Sequence, residues 1–223
     1  MSLQLYFAPG ACSFVPHVLL EAAGAAFEPK MVKLHKGEQY GEEYKALNPK
    51  SQVPVLVTDG TAITQIVAIT TFIADNFPAA HFLPTDLLQK ARVLQTLAWM
   101  NNSVHPTFTH IFMPQKFTPD AAAQATIKAH NVQLFADQLR EIDALIGQAK
   151  AAGGTYAAAA YGHDHFTALD AYTLTLTRWG SIAGIDPTRF THAWPHIQTL
   201  AQHPSIAKVI ERERLQLSMM APA

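Results

Sequence analysis

Along residues 3–7 (LQLYF) apolar and polar positions alternate, which predicts a short strand with one face buried. Pro9 and Gly10 end that alternation, and beyond Cys12 the spacing changes. Val15, Val18, Leu19 and Ala22 fall on one face of a helix, with Gly24 where a helix C-cap is wanted. A second strand is predicted over Phe27–Leu34, a short exposed helix over the charged run 36–47, and a third strand over Val53–Val57. Asp59-Gly60 supplies a hairpin turn into a brief fourth strand, and a helix follows from Gln65 to Asn76. A βαβ run that passes into αββα requires helices against both faces of a small mixed sheet.

Residues 77–86 (FPAAHFLPTD) carry two prolines and no helical period, which reads as a connection between domains. With 81–86 as the linker, the chain divides into a domain of residues 1–80 and one of residues 87–223. Beyond the linker the period is helical. Phe135, Leu139, Ile142 and Ile146 share a face of segment 119–151, as do Tyr172, Leu176, Trp179 and Ala183 within 167–184. Gly153-Gly154 and the alanine run 157–160 predict a loop or frayed turn between them. Thr167 and Asp170 have the spacing of a capping box just ahead of the second helix. The fold class is therefore α/β followed by all-α.

Composition adds one element to this picture. Hydrophobic residues make up 49% of the 223 positions and charged residues only 15%, below the ~25% of an ordinary globular domain, so a further buried surface such as a subunit interface is expected. A formal net charge of −1 gives no basic face to attract nucleic acid or an anionic membrane. No apolar run reaches the ~18 residues of a membrane span, and the N-terminal MSLQLYFAPG lacks a basic leader, so a soluble, cytoplasmic protein is expected. The single cysteine, Cys12, forbids an intrachain disulfide, a Cys-x-x-Cys pair and a multi-cysteine zinc site. His105 and His110 are five apart and do not share a helix face, and His163 with His165 has no matching acids or cysteines, so no metal is expected.

Cys12 stands at a strand-to-helix turn, where unsatisfied helix N–H groups and the helix dipole favour an anion. The dipole contributes ~0.3 to 1 kcal/mol and one charged hydrogen bond ~1.5 to 3 kcal/mol, enough together to lower a thiol pKa towards neutrality. Against this stands the ordinary fate of a free cysteine, a small buried hydrophobe. Both readings of Cys12 remain open, and Ser13 beside it is by default a helix cap.

Five segments in register, LYFAPGACS, NPKSQVPVLV-x-DG, VAI-x-x-x-IAD, FTALDAYTLTLTRW and WPHIQTLAQHPSIAKV, resemble those of the cytosolic glutathione transferases, most closely the bacterial beta class. The resemblance spans nearly the whole chain. It implies a thioredoxin-like N-terminal domain that binds glutathione, an all-helical C-terminal domain that forms the cleft for an electrophile, and paired subunits. It likens Cys12 to the family's active-site cysteine and Ser13 to the adjacent hydroxyl, either of which could face the glutathione sulfur. Val53 is similar to the residue whose backbone pairs with the cysteinyl part of glutathione, with Pro54 as the cis proline that exposes it. Gln65 and the N–H of Ile66 take the place of the groups that meet the γ-glutamyl end, Lys36 matches a lysine near the glycyl carboxylate, and His105, in NNSVHPTF with Ser103, resembles a histidine that reaches the site from the second domain.

In two places the chain departs from the family pattern: Ile66 stands where a serine is usual, and Val104 where an acid often precedes the histidine. The resemblance implies a homodimeric glutathione transferase in detoxification, with glutathione as co-substrate, no cofactor, and a small hydrophobic electrophile as second substrate. Two other readings remain open: thiol transfer or reduction through a Cys12 mixed disulfide with glutathione, and a non-catalytic ligand-binding or protein-interaction member in which Ile66 and Val104 have weakened the glutathione pocket.

Overall fold

The computed structural model describes residues 2–220, so residues 1 and 221–223 of the two expected domains lie outside the described residues. The chain forms two compact units. The first comprises residues up to Leu83 together with Ala201–Leu215, and the second comprises Pro84–Leu200 and the residues from Gln216.

In the first unit, β1 (Leu3–Phe7), β2 (Glu28–Met31), β3 (Val55–Thr58) and β4 (Thr61–Thr64) make one sheet in the order β2-β1-β3-β4. β1 pairs parallel with β2 and antiparallel with β3, and β3 pairs antiparallel with β4. The expected mixed sheet is there, with shorter strands than expected: β2 ends at Met31 rather than Leu34, and β3 begins at Val55, after Pro54, which has no N–H to give to the ladder. Leu3, Leu5 and Phe7 are buried on one face of β1, while Tyr6 on the other joins a second small core of Val32, Tyr44, Val55 and Val57. Val55, Leu56 and Val57 are all buried because both faces of this inner strand are covered.

Helix α1 (Phe14–Ala22) packs against α3 (Ile66–Asn76). It ends as the sequence indicates: Gly24 adopts φ 63°, its N–H donates to Glu21 O, and Ala25 N–H donates to Leu20 O, a Schellman cap. The predicted helix over 36–47 is instead two 3-10 turns, Leu34–Lys36 and Glu38–Tyr40, and then α2 (Glu42–Leu47). Gly37 separates the turns with φ 72°, a break that a run of charged residues does not announce.

The second unit holds α4 (Leu87–Trp99), α5 (His105–Phe112), α6 (Ala121–Ala151), α7 (Ala168–Ile182) and α8 (Ala193–Leu200). The apolar face read for α6 is buried throughout, and that of α7 is buried except at Ala183, which lies beyond the helix end and is only half-buried. Asp120 caps α6 by accepting from Ala122 and Ala123 N–H. The capping box of α7 is formed: Thr167 Oγ1 accepts from Leu169 N–H, and the Asp170 carboxylate accepts from Thr167 N–H at 2.9 Å. Asp170 also accepts from Ala157 N–H at 2.8 Å, and so holds the alanine run, which is a buried 3-10 turn, Ala157–Tyr161.

The closing helix α9 (Pro204–Glu213) corrects the expected division, in which everything from residue 87 belonged to one helical domain. Three charged residues tie it to α1. Lys208 and Arg212 pair with Glu21 at 2.6 and 2.5 Å, and the buried Glu213 lies 2.7 Å from His17 Nδ1 while accepting from Gly10 N–H at 2.8 Å. Arg212 Nη1 also contacts His17 Nε2 at 2.8 Å. A guanidinium can only donate, so Nε2 is the acceptor and the ring carries its proton on Nδ1, donated to Glu213.

Glu213→Gln keeps the size of this side chain but leaves one of the two donors, His17 or Gly10, facing an amide NH₂. A loss of about 1.5 to 3 kcal/mol is expected for a buried charge-assisted contact, read as a lower urea midpoint with an unchanged slope.

Candidate functional site

The register gathers most of the first unit's candidate residues at one end of the sheet. Tyr6 pairs with Val55, and Val55 with Thr64. Continuing both ladders by one residue sets Pro54 beside Phe7 on one side and Gln65 on the other. The loop that carries Cys12 and Ser13, the Val53-Pro54 segment and the start of α3 are therefore neighbours. The Val53-Pro54 peptide is cis, as the resemblance implies.

Cys12 Sγ donates to Val53 O at 3.5 Å, a direct link between the α1 start and the strand entry. Burial, the largest influence, pushes the thiol up to about 12; hydrogen bonding from the backbone at Cys12 and Ser13 acts in the opposite direction, and the Glu213 charge adds to the rise. The helix-start effect read from the sequence is present, and desolvation outweighs it. Cys12 is thus a protonated donor here, in line with the buried-thiol reading rather than the thiolate one.

Ser13 is also placed differently from the expectation. Its hydroxyl is fully buried, accepts from Ala8 N–H at 3.0 Å and donates to Ala8 O at 3.2 Å. Its donor and an acceptor position are spent within the chain, on closing the loop after β1, and it makes no side-chain cap to α1. Lys36 is exposed on the first 3-10 turn.

Gln65 precedes α3 with φ 73° and ψ 126°, and its side chain caps nothing. This conformation turns the chain sharply into the helix and leaves the first N–H groups of α3 without a side-chain acceptor, a place suited to a carboxylate. Ile66 is buried with Ile69 and Ile73, so its side chain belongs to the core and only its N–H is left for a ligand.

In the second unit, a π-type turn, Met100–Val104, precedes α5, and His105 N–H reaches back to Met100 O. The wider turn makes room for Pro106, whose ring would strike a carbonyl of a regular helix. Ser103 is exposed on that turn and Val104 is buried. His105 Nδ1 lies 2.9 Å from the Tyr172 hydroxyl, which donates to Asn101 Oδ1 at 3.3 Å, and its ring meets Trp179 edge to face at 4.8 Å. Burial, with a smaller contribution from the Lys116 charge, lowers its pKa to about 4, so the imidazole is neutral at physiological pH. Phe108 stacks on Trp179 at 4.6 Å, and the exposed Phe112 stacks on Phe108 at 5.5 Å.

Several contributors escaped the sequence reading. Glu213 and His17 fix the Gly10 loop across 203 and 196 positions of chain, too far for any local pattern to reveal. Tyr44 and Asn48 both donate to Gln52 O at 2.8 Å, next to Val53. Asn48 was visible within NPKSQVPVLV, but nothing local distinguished Tyr44 from the other residues of a charged run.

Known proteins share this arrangement. The glutathione S-transferase N-terminal domain matches residues 1–75. Glutathione S-transferase GstA of Escherichia coli O157:H7 is 29% identical over 220 residues, covering 96% of this chain and 100% of its own. A sphingomonad glutathione S-transferase solved in complex with glutathione superposes with a TM-score of 0.78 at 28% identity, over 96% of this chain and 100% of that one. The beta-class enzyme of Sphingomonas chungbukensis gives 0.79 at 28% identity with the same coverage. Residues 1–75 thus carry a glutathione S-transferase N-terminal domain, and over nearly its whole length the chain is similar in sequence and fold to bacterial glutathione S-transferases.

The position of Cys12 predicts that iodoacetamide at neutral pH labels it at least roughly 100-fold more slowly in the folded protein than in urea, because the thiolate is the reacting form. A folded pKa above the unfolded value of roughly 8.5 means that the unfolded chain loses this proton first. The thiol's contribution to stability is then full below the unfolded pKa and is lost as pH rises towards about 12. Cys12→Ala should remove that part of the alkaline decline. Gln65→Gly, which relieves a positive φ, should raise unfolding stability by about 1 kcal/mol, whereas Gln65→Ala should bring no gain.

Proposed function

We propose that this protein is a glutathione transferase that holds glutathione on its first unit and joins the glutathione sulfur to a small apolar electrophile. The observation that carries the reading is the juxtaposition of the Val53 backbone with the uncapped start of α3 at Gln65 and Ile66. An extended peptide bearing a carboxylate finds there an amide to pair with and a helix N-terminus to neutralise its charge. Lys36, on the turn that follows β2, is a cation for the glycyl carboxylate. The relatives in the comparison are named as glutathione transferases, and one of them was solved with glutathione bound.

In this reading the reacting sulfur is the ligand's own. Backbone N–H groups at the Cys12 turn favour its thiolate, and neither Cys12, held as a thiol, nor Ser13, spent on Ala8, supplies a nucleophile. The protein's part is to bind, orient and stabilise the glutathione thiolate, with no metal or other cofactor. The aromatic side chains Phe108, Phe112 and Trp179 favour an electrophile of low polarity, with the neutral His105 beside them. The low charged fraction supports a homodimer, and the balanced charge supports a cytoplasmic role in removing electrophiles. Raising the Cys12 pKa works against a mixed-disulfide route.

Calorimetric titration of the protein with reduced glutathione at two pH values tests the reading. Binding in the micromolar to low millimolar range with proton release, together with turnover of a chromogenic aryl halide that survives Cys12→Ala, is the expected outcome. Binding no tighter than about 10 mM, a free energy of only about 2.7 kcal/mol, would overturn it.

A further inference from the structure

The Gln52 carbonyl and the Val53 N–H are two ends of one planar peptide group. Whatever fixes the direction of that oxygen therefore fixes the direction in which the N–H points. Two donors converge on the oxygen, the Tyr44 hydroxyl and Asn48 Nδ2, each at 2.8 Å. Both come from buried side chains, and the contacts themselves are partly buried.

The donors are themselves fixed. Tyr44 is packed on α2 among Val32, Val55 and Val57, with the Tyr6 ring edge-on at 5.9 Å. Asn48 ends α2, its N–H donates to Tyr44 O at 2.9 Å, and its side-chain oxygen accepts from Lys50 N–H at 3.1 Å while its carbonyl accepts from Ser51 N–H at 2.9 Å. The next carbonyl along, that of Val53, accepts from Cys12. Two successive carbonyls before Pro54 are thus pinned from α2 and from the α1 turn, and the Val53 N–H between them has its direction set without being consumed by any hydrogen bond among the described residues.

We infer that Tyr44 and Asn48 are positioning residues for glutathione: through the Gln52 oxygen they aim the Val53 amide at the ligand's cysteinyl carbonyl. The inference rests on the proposed function, because it takes Val53 as the residue that pairs with glutathione. Neither side chain touches the ligand in this scheme. Their removal weakens binding by letting the peptide plane rock, and leaves the chemistry of the bound complex as it was.

Tyr44→Phe deletes only the hydroxyl and keeps the packed ring. Loss of one such hydrogen bond should raise the glutathione KM and the calorimetric Kd about fivefold, with kcat at saturating glutathione within about twofold of the parent. Asn48→Asp keeps the acceptor for Lys50 N–H but turns an anionic oxygen towards Gln52 O, and should weaken binding by about tenfold or more. Amide hydrogen exchange read alongside should show faster exchange at Lys50 and Ser51 in Tyr44→Phe, with Val55–Val57 unchanged. A lower melting temperature in Tyr44→Phe with unaltered glutathione KM and Kd would mark a merely structural role and overturn the inference. Unaltered exchange at Lys50 and Ser51 would also overturn it. Failure of the parent protein itself to bind glutathione would overturn the proposed function, and the exchange rates would still decide whether the clamp exists.

Discussion

A buried carboxylate has to find donors for its oxygens, and in this fold Glu213 finds them on the element that begins the site. One oxygen receives His17, whose far nitrogen is held by Arg212, and the other receives the Gly10 amide. Because Gly10 opens the turn that carries Cys12 and Ser13, the last helix fixes the first loop. That loop in turn spends Ser13 on Ala8 and presents Cys12 to Val53. Remove the carboxylate and the buried His17 Nδ1 loses its acceptor, which is the costly way to break such a contact.

From that anchor the site is a problem of aiming backbone rather than of placing reactive side chains. The groups offered at the sheet end are the Val53 amide and the first amides of α3; the side chains nearest them are spent on holding the chain. Cys12 illustrates the balance of forces. Helix-start amides favour its anion, yet a sulfur withdrawn from water pays more for its charge than they return, and the proton stays. The arrangement suits a protein whose nucleophile arrives with its ligand.

How much of this was legible in the sequence depended on the range of the interaction. The alternation in LQLYF, the Schellman glycine at Gly24, the capping box Thr167-Asp170 and the long apolar face of α6 are local signals, and each forms as read. The break at Gly37 was missed because a charged run satisfies a short helix and two 3-10 turns equally well. The position of α9 was missed because its amphipathic pattern shows that a face is buried, not which partner buries it. Among the candidate site residues, the cis bond before Pro54 was legible through its motif. The surroundings of Ser13 and Cys12 were not legible because they turn on which way a hydroxyl points and how deeply a thiol lies, and composition is silent on both.

The reach of Glu213 back to Gly10 also bears on synthesis. A chain emerging from the ribosome completes β1 to α3 within its first eighty or so residues, but the contact that closes their loop is supplied only after residue 213. The first unit therefore waits without the Glu213 contact to His17 and Gly10 while the entire helical unit is being made. Contacts of such long sequence separation are formed late and at high entropic cost. The order of translation thus makes the turn after β1 among the last parts of the molecule to become native.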